Sequence, residues 1–247
     1  MLSTAKTLAG YKLHSLDGEI GRAEEFYFDD RHWTIRYLVA KTGNWLTGRK
    51  VLLSPYLLTA VNKEEKYISV NLAKKQIEDS PSLDSDKPVS KQFEELYSEF
   101  YGVPMYWNGP DIWGASPYIV RDPQMLRTSI PGEKSWDHHL RSTVAVSGYS
   151  IQASDGEIGT VKDFIVDVEN WTIRYLLVDT GKWLPGKKVL ISLLWVERVS
   201  WDLSKVFVDI SREAIKESPE YSEESLITRD YEARLCKHYN RQGYWID

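Results

Sequence analysis

The stretch Asp17-Gly18-Glu19-Ile20-Gly21, followed by Trp33-Thr34-Ile35-Arg36-Tyr37-Leu38, decides the fold of this 247-residue chain, because both segments occur twice. They return as Asp155-Gly156-Glu157-Ile158-Gly159 and Trp171-Thr172-Ile173-Arg174-Tyr175-Leu176, 138 residues further along and without a gap. The same offset relates segments at both ends of each copy: Gly10-Tyr11 with Gly148-Tyr149, and Tyr106-Trp107 with Tyr244-Trp245. An internal duplication therefore organises the chain into two copies of domain size.

The repeat sets the expected domain boundaries. We expect a first domain at residues 1–107, a linker at 108–144 and a second domain at 145–247. The linker holds four prolines and three glycines, which interrupt regular elements, but it also carries Trp113, Tyr118 and Trp136. Because disordered segments are poor in aromatic residues, the composition predicts an ordered loop packed along the domains.

Within each copy the pattern is that of short strands. Asp17-Gly18 is a two-residue hairpin signal, since glycine accepts a positive φ there. The run from Trp33 to Ala40 alternates Trp33, Ile35, Tyr37 and Val39 with a second, mixed face, which predicts a half-buried strand. Five or six such strands per copy, with turn signals between them, favour a small antiparallel barrel or sandwich.

Helical spacing follows the strands. The apolar residues at the end of each copy recur with helical periodicity, after Ser90 or Thr228 as N-cap: Phe93, Leu96-Tyr97 and Phe100-Tyr101 in the first, Tyr231, Leu235 and Tyr239 in the second. Shorter helical turns are expected at Leu72 to Ser80 and at Ile210 to Ser218, because each ends before a proline. The fold class is therefore mainly β with a helix after each strand domain.

Composition excludes several classes of protein. With 31 Lys and Arg against 36 Asp and Glu, the formal net charge of −5 argues against a duplex nucleic-acid partner. A single cysteine, Cys236, allows no internal disulfide and indicates a reducing, cytoplasmic compartment. No apolar run is long enough for a membrane span, and no secretion signal is expected.

The Gly-Tyr start, the Asp-Gly-Glu-Ile-Gly hairpin and the Trp-Thr-Ile-Arg-Tyr-Leu strand resemble the PRC-barrel family, which is named for the cytoplasmic domain of the photosynthetic reaction-centre H subunit. Both copies carry the resemblance, most strongly over Gly10 to Ser54 and Gly148 to Ser192. It implies two tandem small antiparallel PRC-type β-barrels that serve as an adaptor or assembly surface. It implies no catalytic constellation, so we expect a protein that is not an enzyme and uses no cofactor. Unlike the reaction-centre subunit, this chain shows no amino-terminal membrane helix, and any photosynthetic link stays open.

The candidates for chemistry have structural explanations. Asp17, Glu19, Asp155 and Glu157 could offer oxygen ligands to a calcium ion, but Asp-Gly is also what the hairpin turn selects, and we expect no metal. His138 and His139 could serve a ligand pocket; the structural interpretation, a linker anchor hydrogen-bonded to a barrel, is favoured. Cys236 lies in a predicted helix and is interpreted as a core residue.

The best interaction candidate is a loop that occurs in both copies and places a tryptophan beside paired cations. Its residues are Trp45, Arg49 and Lys50 in the first copy, and Trp183, Lys187 and Lys188 in the second. Tryptophan and arginine are enriched at the energetic anchors of protein interfaces. The alternative, in which the tryptophans cap the core and the cations are solvated at the rim, stays open.

Three hypotheses for function follow. The first is a non-enzymatic intracellular adaptor that binds a macromolecule, with a protein as the expected partner. The second is a small-ligand or metal-binding protein, or an enzyme, with a pocket between the copies near His138 or His139. The third is a stress-associated structural protein, and a homodimer is left open.

Overall fold

The computed structural model describes residues 1–46, 48–81, 89, 91–115, 119, 139–181, 184–222 and 226–245, with the side chains of residues 45, 91 and 92 outside that description. Within these residues the chain is mainly β, as predicted, with short helices. The strands are β1 (Leu2–Thr4), β2 (Lys12–Ser15), β3 (Gly18–Asp29), β4 (Thr34–Thr42), β5 (Lys50–Leu53), β6 (Leu58–Asn62), β7 (Tyr67–Val70), β8 (Leu140–Ser142), β9 (Ser150–Ala153), β10 (Gly156–Asp167), β11 (Thr172–Asp179), β12 (Lys188–Ser192), β13 (Val196–Ser200) and β14 (Lys205–Val208). The helices are α1 (Ala5–Ala9), α2 (Lys74–Glu78), α3 (Lys91–Tyr101), α4 (Thr143–Val146), α5 (Arg212–Lys216) and α6 (Arg229–His238).

Two compact units divide the chain. The N-unit comprises Lys6–Ser142 and Val168–Thr172, and the C-unit comprises Met1–Ala5, Thr143–Asp167 and Ile173–Asp247. Each unit is therefore built mainly from one copy of the repeat and completed by short segments that the chain supplies from elsewhere. The expected boundaries at 107 and 145 do not describe these exchanged segments.

The N-unit sheet runs in the order β5–β4–β3–β2–β7–β6, with β8 added to β3. The C-unit sheet runs in the order β12–β11–β10–β9–β14–β13, with β1 added to β10. Among the strands that the structure describes, the path is open in each unit, and one ladder is parallel: β2 with β7, and β14 with β9. The expectation of two antiparallel β-barrels is therefore wrong in the closure of the sheet and in the direction of one ladder per unit.

The connection from β5 to β6 explains the parallel ladder. A 3-10 turn at Pro55–Leu57, capped by Ser54, lies between the two strands. β2 to β5 form an antiparallel series, and β6 pairs antiparallel with β7. A parallel pairing of β2 with β7 then requires that the turn carry the chain onward without reversing it. No ladder joins β5 to β6 in the described part of the chain.

The hairpins form at the Asp-Gly signals, but each turn lies one residue earlier than expected. Leu16-Asp17 joins β2 to β3 and Ser154-Asp155 joins β9 to β10, while Gly18 and Gly156 pair with Ser15 and Ala153 as the first residues of their strands. The glycine that ends each motif is needed for packing: Gly21 has φ 135°, and a Cβ there would collide with the carbonyl oxygen of Lys41. Only glycine fits this close approach of two strands.

Two details of β4 differ from the sequence prediction. Trp33 does not belong to the strand but precedes it with a left-handed φ of 52°, as Trp171 does with 56°. Both faces of β4 are buried: on the side expected to be mixed, the rings of Tyr106 and Trp113 lie over Arg36, and the segment that carries Trp171 also belongs to the N-unit. Ile35 N donates to Trp171 O at 2.7 Å, and Trp171 is 1% exposed.

The predicted helices are present. α2 and α5 are the short turns that precede Pro81 and Pro219, and α3 and α6 follow them. Thr228 caps α6, since its side chain accepts a hydrogen bond from Tyr231 N at 3.2 Å. Ser90, the corresponding residue before α3, lies outside the described residues. Among the residues that the structure does describe, no helix is long and apolar enough to cross a membrane.

Candidate interaction site

The loop between β4 and β5 is fixed by one threonine. Thr42 Oγ1 lies 2.7 Å from Arg49 O and 3.4 Å from Leu46 O. In the C-unit, Thr180 Oγ1 lies 2.7 Å from Leu184 O and 2.8 Å from Lys187 O. A buried hydroxyl thus closes the loop at its base in both units.

The first cation of each predicted pair anchors the loop to a helix. Arg49 donates from Nη1 to Glu78 O at 3.1 Å and from Nη2 to Ser80 O. Lys187 Nζ donates to Ser218 O at 2.8 Å and also to Lys216 O. These carbonyls lie at the carboxyl ends of α2 and α5, where cations satisfy groups that lack a partner within the helix.

The other residues of the loops are placed as follows. Lys50 forms an ion pair with Glu24 at 2.6 Å, and its side chain is 43% exposed. Lys188 is half-buried, and its carbonyl accepts from Tyr221 N at 2.9 Å. Trp45 belongs to a 3-10 turn at Asn44–Leu46, while Trp183 lies outside the described residues. A partner-binding role for these six residues stays a prediction.

His139 belongs to a charged cluster in the N-unit. Arg31 Nη2 donates to His139 Nε2 at 2.7 Å, which leaves Nδ1 to donate to Asp30 Oδ1 at 2.8 Å. Arg141 Nε adds a bond to Asp30 Oδ2 at 3.0 Å, and β8 is thereby held to the end of β3. This is the anchoring contact that the structural interpretation of the histidine pair predicts. His138 lies outside the described residues.

The hairpin carboxylates also have structural partners. Asp17 Oδ1 accepts from Lys74 N at 2.8 Å, and Asp155 Oδ1 accepts from Arg212 N at the same distance. The bond from the Lys74 backbone, followed by one from Ser15, lowers the pKa of Asp17. Each hairpin tip therefore holds the first residue of the neighbouring short helix. In the part of the chain that the structure describes, no group of three or more His, Cys, Asp or Glu residues could hold a metal ion.

A buried tyrosine–glutamate pair in each unit was missed by sequence reasoning. Tyr37 donates to Glu94 Oε2 at 2.7 Å, and Tyr175 donates to Glu232 Oε1 at 2.9 Å. Burial, followed by the charge of the glutamate, raises the pKa of both tyrosines well above the usual value. These pairs join the last helix of each unit to its sheet. The signal available in the sequence was the presence of both residues in both copies.

The residue before each of these tyrosines is an arginine, which is buried in the N-unit and partly exposed in the C-unit. Arg36 is 1% exposed and donates from Nε to Asp29 Oδ2 at 2.6 Å. Its guanidinium carbon lies 4.3 Å from the centre of the Tyr106 ring and 4.7 Å from that of Trp113. Arg174 is similarly placed 4.1 Å from the Tyr244 ring. These cation–π contacts hold the segment after each helix against the sheet.

Cys236 is buried in α6, as its interpretation as a core residue predicts. Burial, followed by the nearby charge of Glu232, raises the pKa of its thiol. The reactive thiolate form is therefore disfavoured at neutral pH.

Comparison with known proteins identifies the type of domain in the second half of the chain. Residues 146–215 match the sequence model of the PRC-barrel domain, over a segment that includes β9 to β14 and most of α5. The chain therefore carries a PRC-barrel domain at these residues, and the family recognised in the sequence is confirmed there. An 85-residue segment is also 33% identical to an uncharacterized protein of Deinococcus radiodurans, covering 34% of this chain and 30% of that relative. The match thus spans less than a third of the relative's length.

Proposed function

We propose that this protein is a non-enzymatic, intracellular adaptor or assembly module in which both sequence copies are PRC-type domains. Each copy offers its β4–β5 or β11–β12 loop to a macromolecular partner, for which a protein is the best candidate. The observation that carries the proposal is the double anchoring of each loop, by Thr42 and Arg49 in the N-unit and by Thr180 and Lys187 in the C-unit.

Anchoring matters because binding costs less when the binding surface is already ordered. The loop tips stay accessible while their bases are fixed: Asn44 and Gly48 are exposed in the N-unit, and Gly181 and Gly186 in the C-unit. Two such loops on one chain can bind a repeated or symmetric partner with an affinity above that of either loop alone.

The buried ionisable groups support a binding protein over a catalyst. A general acid or base works best when its pKa is near the working pH. Burial moves the pKa of Tyr37 and Tyr175 away from neutrality, and their hydroxyls bond to glutamates within the units. Their contacts are those of residues that fasten a helix to a sheet.

The test uses a photo-crosslinking amino acid, p-benzoylphenylalanine, in place of Trp45 or Trp183 in the full chain, irradiated in the host cell. Both positions should give the same discrete crosslinked product. The control is the same substitution at Leu203, which is 65% exposed in the turn between β13 and β14. No product at positions 45 and 183, or the same product at position 203, would overturn the proposal.

The tryptophans themselves require a second measurement. Trp45→Ala and Trp183→Ala should abolish formation of the partner complex and leave the thermal unfolding temperature nearly unchanged. If either variant fails to fold, the tryptophan is a core residue, and the assignment of the loop as the binding surface is wrong.

A further inference from the structure

The outer faces of the two long helices differ although their inner faces match. Glu94 in α3 and Glu232 in α6 are both buried and bind a tyrosine of their own sheet. On the outer face, however, α3 exposes Leu96 (58%) and Phe100 (43%). The positions 138 residues later hold the charged or polar residues Arg234 and His238. The N-unit thus presents an apolar helix face that the C-unit does not.

The charges around these faces are opposite. On α3 the apolar pair is flanked by Glu95 and Glu99, one turn apart. On α6 the outer face carries the exposed cations Arg234 and Lys237, together with one exposed carboxylate, Asp230, a turn before Arg234. Within the described residues neither these two glutamates nor these two cations form an ion pair. The acidic face of α3 and the basic face of α6 are therefore both available to a partner of opposite charge.

A cleft lined by both polar and apolar residues adjoins the basic face. It has a volume of about 400 Å³, with Tyr221, Leu226, Ile227 and Tyr231 on its apolar side and Glu220 and Arg234 among its polar residues. Leu226 is 77% exposed, the highest value among the large apolar side chains that the structure describes. Ligand-binding clefts typically have volumes of about 300–1,000 Å³. The volume and the apolar side of this cleft can accommodate a phenylalanine and a leucine side chain together.

We propose that the partner of this surface is a second copy of the chain, with Leu96 and Phe100 of α3 in one protomer seated in the cleft beside α6 of its partner. The glutamates of α3 then face the cations of α6, which gives an apolar centre with a charged rim, the usual anatomy of a protein interface. The contact joins two different surfaces and is therefore heterologous. None of the six loop residues of the proposed function takes part in it, although the backbone of Tyr221 in the cleft donates to Lys188 O, so association and partner capture are measured separately.

Sedimentation of the full chain over about 1 to 200 µM at low salt tests the proposal. The wild type should associate reversibly, and added salt should weaken the association, because exposed charges are screened. Glu95→Lys combined with Glu99→Lys should weaken it about tenfold or more, as should Arg234→Glu combined with Lys237→Glu. An equimolar mixture of these two variants should regain association, since each then offers a face that complements the other.

Matched controls separate this surface from general charge effects. Glu64→Lys combined with Glu65→Lys reverses two exposed glutamates in the β6–β7 turn and should leave the association unchanged. A chain that stays monomeric over the whole range would overturn the proposal. So would association that the α3 and α6 variants do not alter. A monomeric chain that binds phosphatidylcholine vesicles through Leu96 and Phe100 would assign the face to lipid and likewise overturn it.

Discussion

At the scale of single residues, the stability of each unit depends on polar side chains that are buried with their partners. Tyr37 is 4% exposed and Glu94 is fully buried, so the hydroxyl and the carboxylate depend on each other rather than on water. Removal of one partner leaves the other buried without its hydrogen bond, and the desolvation of that group then lowers the free energy of unfolding. The sheet and the last helix are thus joined by a contact that tolerates little change.

Tyr37→Phe removes the hydroxyl and keeps the ring. We expect the free energy of unfolding to fall by about 2 kcal/mol, because a hydrogen bond to a charged group is lost in the interior. Urea unfolding measures the change. Tyr67→Phe is the control: Tyr67 is half-buried, stacks on His14 at 4.7 Å and should change stability little. Equal effects of the two substitutions would contradict the prediction.

Buried tyrosines also predict sensitivity to alkali. Burial raises the pKa of Tyr56, Tyr239 and Tyr244 from 10.0 to about 12 in each case. Below pH 10 these tyrosines are protonated in both states and the stabilisation is complete. As the pH rises from 10 towards 12 the unfolded chain loses protons first, so stability falls.

Urea unfolding at several pH values between about 8 and 12 tests this, with tyrosinate absorbance recorded in the same samples. The midpoint should stay constant below pH 10 and decrease above it. The tyrosinate of the tyrosines whose pKa is raised should form only together with loss of structure. Full titration of the tyrosines near pH 10 in a folded chain would contradict the prediction.

At the scale of elements, the β4–β5 loop is bonded to the end of α2 and the β11–β12 loop to the end of α5, so each loop and its helix should be stabilised together. Lys187→Met keeps the apolar stem and removes the donor to Lys216 O and Ser218 O. We expect a loss of about 1 kcal/mol in stability and faster amide exchange in α5. Lys216→Met is the matched control, since within the described residues its ammonium makes only an exposed contact of 3.6 Å, to Glu213. Unchanged exchange in α5 would show that the loop is not anchored there.

Local signals predicted the elements that they determine. The hairpin at Asp17, the cap at Thr228 and the spacing in α3 depend on neighbours in sequence; all three are present, with the hairpin turn one residue earlier than predicted. The open sheet could not be predicted, because the sequence at Pro55–Leu57 indicates a turn but not that the chain continues in the same direction after it. The three-residue strands β1 and β8 are too short to show a period of two.

The residue types of the candidate site could be predicted from the sequence, but the contacts that these residues make could not. Sequence placed cations in the loops, but only the structure shows that Arg49 and Lys187 point to helix carbonyls. The burial of Arg36 was not predicted, because alternation along β4 assigned it to a mixed face and the rings that cover it, Tyr106 and Trp113, come from much later in the chain. Whether these side chains are buried or exposed therefore depends on tertiary packing, which the local sequence pattern does not specify.

At the scale of the whole molecule, each unit contains a strand that precedes the other sequence copy. β1 pairs with Ile165–Asp167 of β10, and β8 pairs with Tyr27–Asp29 of β3. The amino group of Met1 adds an ion pair to Asp167 at 2.9 Å. The exchange makes the first residues of the chain part of the C-unit.

Deletion of residues 1–4 should therefore act on β10. We expect amide exchange at Ile165–Asp167 to become about tenfold faster, because that edge loses its ladder. Hydrogen exchange with mass spectrometry measures this. Tyr27–Asp29 of β3 keeps its partner β8 and serves as the internal reference. Equal protection of β10 with and without the deletion would contradict the pairing.

The exchanged strands β1 and β8 also determine whether the fragments of a cleaved chain can fold independently. A protease that cleaved between the two copies would not release two finished domains, because each fragment would lack one strand and carry the strand that the other needs. What is a fixed intramolecular pairing in the intact protein would become a bimolecular equilibrium that depends on fragment concentration. The two pieces should behave as complementing fragments, each of which recovers its missing edge only when the other is present.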